Sequence, residues 1–217
     1  MTIFNPKYFF KLDNYKHCEI FEECNTVWQA LDNISSYLAK FDYKKSDSLF
    51  EGAHLVNRDE ISIGEGTVVE PGAYIKGPCV IGKNCTIRHG AYIRGGVITG
   101  DNCVIGHASE LKNVIMLDNA KAAHFAYVGD SILGNDVNLG AGSKLANLKF
   151  NNTNVFIRWE GNVIDTGRRK FGAILGDGSQ TGCNSVTSPG TVIGRRGVVY
   201  PNQTAKGVVL QDQSCKA

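Results

Sequence analysis

From Ile63 onward an aliphatic side chain recurs at nearly every sixth residue: Ile63, Val69, Ile75, Ile81, Ile87, Ile93, then Ile105, Leu111 and Leu117, with Thr99 interrupting the run. Neither the 3.6-residue period of an amphipathic helix nor the two-residue alternation of an ordinary strand produces that spacing. Two residues before these positions stand small or β-branched residues such as Ala73, Cys79, Cys85, Ala91 and Cys103, and Gly64, Gly82, Gly100 and Gly106 follow directly. A fixed short period marks a solenoid. The expected fold class is all-β: a parallel β-helix of hexapeptide repeats. Each six residues form one side of a triangular prism, the aliphatic residue fills its interior, and the small one fits where walls converge.

Three hexapeptides per turn would place residues eighteen apart directly above one another, at the roughly 4.8 Å spacing of paired strands. Lys76, Arg94 and Lys112 obey that rule, so they should form a vertical basic column. Like charges so close repel, and an anion would relieve them. Phosphate is the natural candidate, because arginine offers a planar fork of donors and lysine a point charge. His89 and His107 are also eighteen apart and should stack at a corner. Zinc would need three or four converging ligands, and no third partner is evident, so no metal is expected.

Composition narrows the partners. A formal net charge of +2 argues against nucleic acid, and no basic run suggests a membrane surface. There is no signal-peptide pattern and no apolar run approaching a membrane span, so a cytoplasmic location is expected. Seven cysteines without metal-type spacing fit a reducing compartment. Cys79, Cys85 and Cys103 fall on the small inward position and read as packing.

Residues 1–55 lack the repeat and should form a mainly helical cap. Its helix is expected from Asn25 to Phe41, where Val27, Leu31, Ile34, Leu38 and Phe41 fall at helical spacing. Docking on the first turn would cover an open solenoid end. The β-helix should span 56–205, with 206–217 a peripheral tail. The phase slips between Leu117 and Leu133, which predicts a bulge or wide turn near His124. An insertion at about 150–170 has two β-prone runs around Gly161-Asn162 and predicts a projecting hairpin.

The run His124-Phe125-Ala126-Tyr127-Val128-Gly129-Asp130, followed by Asn-Leu-Gly-Ala-Gly at 138–142, resembles the acetyltransferase domain of the bifunctional bacterial enzyme that makes UDP-N-acetylglucosamine. The resemblance covers roughly residues 60–200. It implies a left-handed β-helix, a homotrimer with its site between subunits, and acetyl-CoA as co-substrate with no tightly bound cofactor. It also implies acetyl transfer to the amine of a hexosamine 1-phosphate, glucosamine 1-phosphate first. Position by position, His124 would be the general base, and Arg94 and Lys112 would bind phosphate. Tyr127, Asn138 and Asn147 would hold the sugar, and Lys170 would lie near its anionic end. The Ala141 backbone would contact the acyl donor, whose channel Cys183 would line.

Departures from that family are a missing nucleotidyltransferase half, Leu148 in place of a tyrosine, the longer insertion and the absent basic tail. They suggest a separate nucleotidyltransferase as partner. Two other readings stand beside acetyl transfer: a non-catalytic sugar-phosphate-binding module, and a zinc enzyme of the carbonic anhydrase class using His89, His107 and His124.

Overall fold

The structure, a computed structural model, describes residues 3–43 and 50–215. Its strands stack in parallel into three walls. The first wall carries Tyr74–Lys76, Tyr92–Ile93, Lys144–Leu145 and Val186–Thr187; the second Cys79–Ile81, Val97–Thr99, Ala173–Leu175 and Thr191–Ile193; the third Thr86–Ile87, Val104–His107, Lys121–His124, Asn138–Leu139 and Gln180–Thr181. Two long strands, Glu110–Met116 and Tyr127–Leu133, run unbroken from the first wall into the second. The interior is filled by the periodic side chains: Ile75, Ile87, Ile93, Ile105 and Leu111 are fully buried in one continuous core.

Register fixes the length of a coil. Ile75 pairs with Ile93 and Ile93 with Leu111, eighteen residues each; Leu111 pairs with Val128 and Val128 with Leu145, seventeen each. The missing residue is lost at the corner between first and second walls, because Met116, not Leu117, pairs with Thr99 and Leu133. Asn113 and Asp130 turn this tighter corner in the left-handed region, at φ 55° and 47°, which short polar side chains tolerate. The slip expected at His124 is therefore a shortened corner one wall earlier, with no bulge at the histidine.

The second wall is apolar on both faces. Cys79, Val97, Val114 and Met116 point inward, while Val80, Ile98, Ile115, Ile132, Ile174 and Val192 form an outer stripe. The N-terminal segment covers that stripe with Phe4, Phe9, Phe10, Trp28, Leu31, Ile34 and Leu38. The cap thus docks along a side wall, not on the first turn as expected. Each buried aliphatic contributes about 1.5 to 3 kcal/mol, and the stripe offers more apolar surface than one end coil.

Within the cap, the short helix α1 (Pro6–Phe9) starts on Asn5, whose side chain accepts from the Lys7 N–H at 3.0 Å. Helix α2 (Ala30–Lys40) follows a 3-10 turn at Val27–Gln29, where Gln29 Oε1 accepts from the Thr26 N–H at 2.9 Å. Ala30, Leu31, Ile34 and Leu38 form its buried face.

The insertion forms an antiparallel hairpin, Phe156–Trp159 with Asn162–Asp165. Its turn is Glu160-Gly161, both with positive φ, one residue before the Gly-Asn pair expected. The hairpin lies against the body: Val155 and Ile157 are buried in the cap's own cluster. The solenoid also runs past residue 205. Val208–Val209 and Ser214–Cys215 continue the second and third walls, so most of the expected tail is coil. No described helix is long and apolar enough to cross a membrane.

Candidate functional site

The first wall has two edges, and the candidate residues divide between them. At the edge shared with the third wall, His107 pairs with His124. Continuing the register Ala122 to Leu139 to Thr181 sets Ala141 above His124 and Cys183 above Ala141. The backbone agrees: the Gly142 N–H donates to the His124 carbonyl at 3.0 Å, and the Asn184 N–H to the Ala141 carbonyl at 2.8 Å. His124 and Cys183 are exposed. Three residues named separately from the sequence thus occupy one corner on successive coils. Asn138 stands exposed on the third wall, on the coil leading into Ala141.

Arg88, which sequence reasoning passed over, reaches this corner from two coils away. Its Nη1 lies 3.4 Å from His124 Nε2 and 3.5 Å from the Ala123 carbonyl. The coil between stays out of the way because it carries glycine: a Cβ on Gly106 would fall 1.6 Å from the Ala123 carbonyl oxygen. Counting by eighteen could have revealed Arg88, which is thirty-six residues from His124, although one seventeen-residue coil sets its backbone in register with Ala123.

His89 and His107 stack as expected, ring centroids 5.8 Å apart and 15° between planes. Their Nδ1 atoms lie 2.7 and 3.0 Å from the Pro71 and His89 carbonyls, which as pure acceptors fix the proton on Nδ1. The next ring on His107 is Phe125, edge-on at 5.1 Å, while His124 faces Arg88. Among the described residues no three His, Cys, Asp or Glu side chains are grouped to hold a metal.

The opposite edge, shared with the second wall, carries the basic column. Arg94 and Lys112 stack in register, but the charge is met from within the chain. Arg94 Nη1 donates to Glu110 Oε1 at 2.7 Å, and that bond raises the guanidinium pKa. Lys112 Nζ lies 3.9 Å from Asp130 Oδ2. Asp130, 3% exposed, also accepts from Asn113 Nδ2 at 3.0 Å and Asn147 Nδ2 at 2.5 Å. Arg168 Nη2 approaches it to 4.0 Å from the insertion. A buried carboxylate needs that many donors.

Tyr127 spans the wall between the edges, its hydroxyl donating to Asn147 Oδ1 at 3.4 Å. Burial, then Glu110 and Asp130, raise its pKa above the usual 10. Gly129 makes room for this meeting, since a Cβ there would sit 2.7 Å from both the Tyr127 hydroxyl and Asn147 Nδ2. Lys170 is half-buried, and its backbone bridges Leu148; the adjoining Phe171 N–H donates to the Asn147 carbonyl at 2.9 Å. Beside them a cavity of about 540 Å³ is lined by Ala146, Leu148, Phe150, Val186 and Pro189. The sequence reading missed Arg88, Glu110, Asp130 and Arg168. Asp130 had a signal, since it closes the quoted motif.

Residues 75–213 match the sequence pattern of the GMPPB C-terminal domain. The chain belongs to that family. Its fold is the left-handed parallel β-helix of hexapeptide-repeat acyltransferases, and it resembles the GlmU acetyltransferase domain. Among curated relatives, a bifunctional sugar-1-phosphate nucleotidylyltransferase/acetyltransferase of Sulfurisphaera tokodaii is 41% identical over 92 residues, 42% of this chain and 23% of that protein. A bifunctional GlmU protein of Methanococcus maripaludis is 34% identical over 175 residues, 81% of this chain and 42% of its own length. The chain thus spans less than half the length of these relatives. The solved structure of an Arabidopsis UDP-N-acetylglucosamine acyltransferase superposes over 73% of this chain and 68% of its own, with TM-score 0.37 and 11% identity.

Proposed function

We propose that the chain is an acetyltransferase that moves an acetyl group from acetyl-CoA to the amine of a hexosamine 1-phosphate, with glucosamine 1-phosphate the first candidate. The observation that carries this reading is the corner column of His124, Ala141 and Cys183. It sets a proton acceptor beside a backbone rich in N–H groups along which a thioester could lie. The names of the relatives supply the substrate class.

In this reading the amine, as its neutral form, attacks the thioester carbonyl while His124 takes its proton. A C–N bond forms, the tetrahedral oxyanion is met by the Ala141 N–H, the C–S bond breaks, and the imidazolium returns the proton to the departing thiolate. General-base help of this kind is worth roughly 10²- to 10⁴-fold, and an oxyanion donor about 3 to 4 kcal/mol. Histidine suits the role because its ordinary titration lies near neutrality. Arg94 and Lys112 would hold the phosphate; Tyr127, Asn138, Asn147 and Lys170 would hold the sugar.

These groups lie on opposite edges of one wall, separated by a strand of about three residues, roughly 10 Å. That separation supports a site completed by the edge of a second copy, as a homotrimer would provide.

Thiol release from acetyl-CoA with glucosamine 1-phosphate tests the reading. His124→Ala should lower turnover roughly 10²- to 10⁴-fold; unchanged turnover rejects it as base. Measurable sugar-phosphate binding without turnover by the unaltered protein would mean a binding module, working with a separate nucleotidyltransferase.

A further inference from the structure

Two segments outside the regular coils, the N-terminal cap and the inserted hairpin, meet at one residue. Arg168 follows the hairpin, and its side chain is 12% exposed. One nitrogen pairs with Asp32 on the first turn of α2, and another lies 4.0 Å from Asp130. Its Nε donates to the Lys170 carbonyl at 3.3 Å. Asp130 in turn touches Lys112 and holds the amides of Asn113 and Asn147. A chain of contacts therefore runs from the cap, through Arg168 and Asp130, into the groups proposed to bind the sugar phosphate.

We infer that Arg168 is a positioning residue that neutralises Asp130 from its buried side and so leaves the Lys112 ammonium available to an incoming phosphate. Asp130 carries one negative charge, and among the described residues two cations share it, at 3.9 and 4.0 Å. Lys112 is the more exposed, at 32% of its side chain against 12% for Arg168. Without the arginine, a carboxylate this buried would take the ammonium as its only counter-charge. Lys112 would then be drawn inward and its charge spent inside the protein. Asp32 keeps the guanidinium aimed at this point, which gives the cap a part in ligand recognition although its own residues line none of the site.

The inference deepens the proposed function and rests on it for the identity of the ligand, so its test has a ligand-free arm. In that arm Lys112 is labelled with an amine-reactive ester and followed by mass spectrometry. Arg168→Gln should slow labelling of Lys112 several-fold, with Lys83 and Lys121 unchanged. In the second arm, calorimetry with glucosamine 1-phosphate and glucosamine should show about a tenfold or larger loss for the phosphorylated sugar only. Arg168→Lys should restore both.

Asp32→Asn, which leaves Arg168 in place, should move both readouts the same way by less, and serves if Arg168→Gln does not fold. Unchanged Lys112 labelling in a folded variant overturns the inference. Equal losses for both sugars reduce Arg168 to a structural role and overturn it as well. Unaltered protein that binds neither sugar, while the labelling shift is seen, rejects the proposed function and leaves the charge arrangement standing.

Discussion

Removing one side chain from the outer stripe of the second wall measures how firmly the cap is held. Ile132 is fully buried and pairs in register with Ile115 below and Ile174 above. Ile132→Ala deletes three carbons, about 2.4 kcal/mol at 0.8 kcal/mol for each. The flanking strands are tied above and below and cannot collapse, so a cavity term is added, for a total of about 3 to 5 kcal/mol. For a chain of this size that corresponds to a melting-point drop of roughly 6 to 20 °C.

Urea unfolding should be followed two ways. In a Trp159→Phe background, which leaves one of the two tryptophans, Trp28 fluorescence reports on the cap, where the indole lies 6.0 Å from the Phe171 ring; circular dichroism reports on the solenoid. The cap transition should move further than the solenoid transition, because local units open at their own free energies. Tyr92→Ala on the first wall, where the ring is 43% exposed, is the control and should cost less than about 1 kcal/mol. A loss at Ile132 below about 0.5 kcal/mol would refute the covered wall.

Other expectations follow from single groups. His17 is buried beside Tyr37, 2.6 Å from its hydroxyl, and burial, then Lys16, lower its pKa to about 4. The unfolded chain binds this proton below about 6.5 and the folded one only near 4, so stability is full above that window and falls as pH drops through it. The loss amounts to on the order of 3 kcal/mol, and His17→Gln should flatten the melting-point profile between pH 6.5 and 4.5. Arg88→Ala should free the His124 ring to turn and lower turnover about tenfold or more with little change in the sugar KM; equal activity would remove Arg88 from the site. In native protein a thiol reagent should modify Cys18 and Cys183 quickly. Cys24, Cys79, Cys85 and Cys103 are buried, with Cys79 pushed up to about 12, and should wait for unfolding. Fast native labelling of Cys79 would contradict the packed interior.

The solenoid was legible because its period is set by the strand and corner geometry of every coil, and each repeat states it again. The N-terminal helix was legible for the same local reason. Where the cap lands was not read, although a signal existed: Cys79-Val80-Ile81 and Ala173-Ile174-Leu175 are unbroken apolar triplets, the mark of a wall buried on both sides. The phase slip was misplaced because Met116 and Leu117 are adjacent and both apolar, so counting settled on the wrong one.

At the site, stacking of Arg94 on Lys112 followed from register alone. Their carboxylate partners did not, since the count treated the column as unmet charge. Glu110, two residues before Lys112 and on the same outward row as Tyr92, was within reach of pattern reading. Arg168 was not: its partners lie 38 and 136 residues away, and only the folded insertion brings them to it.

The strand ladder closes beneath that insertion as though nothing intervened, with Lys144 paired directly to Val186 and Ile132 to Ile174. Scaffold and pocket furniture are thereby decoupled. The hairpin turn at Glu160-Gly161, exposed beyond the buried Val155 and Ile157, can lengthen or change its residues while the prism keeps its stacking, so ligand preference can diverge between related chains without disturbing the coils.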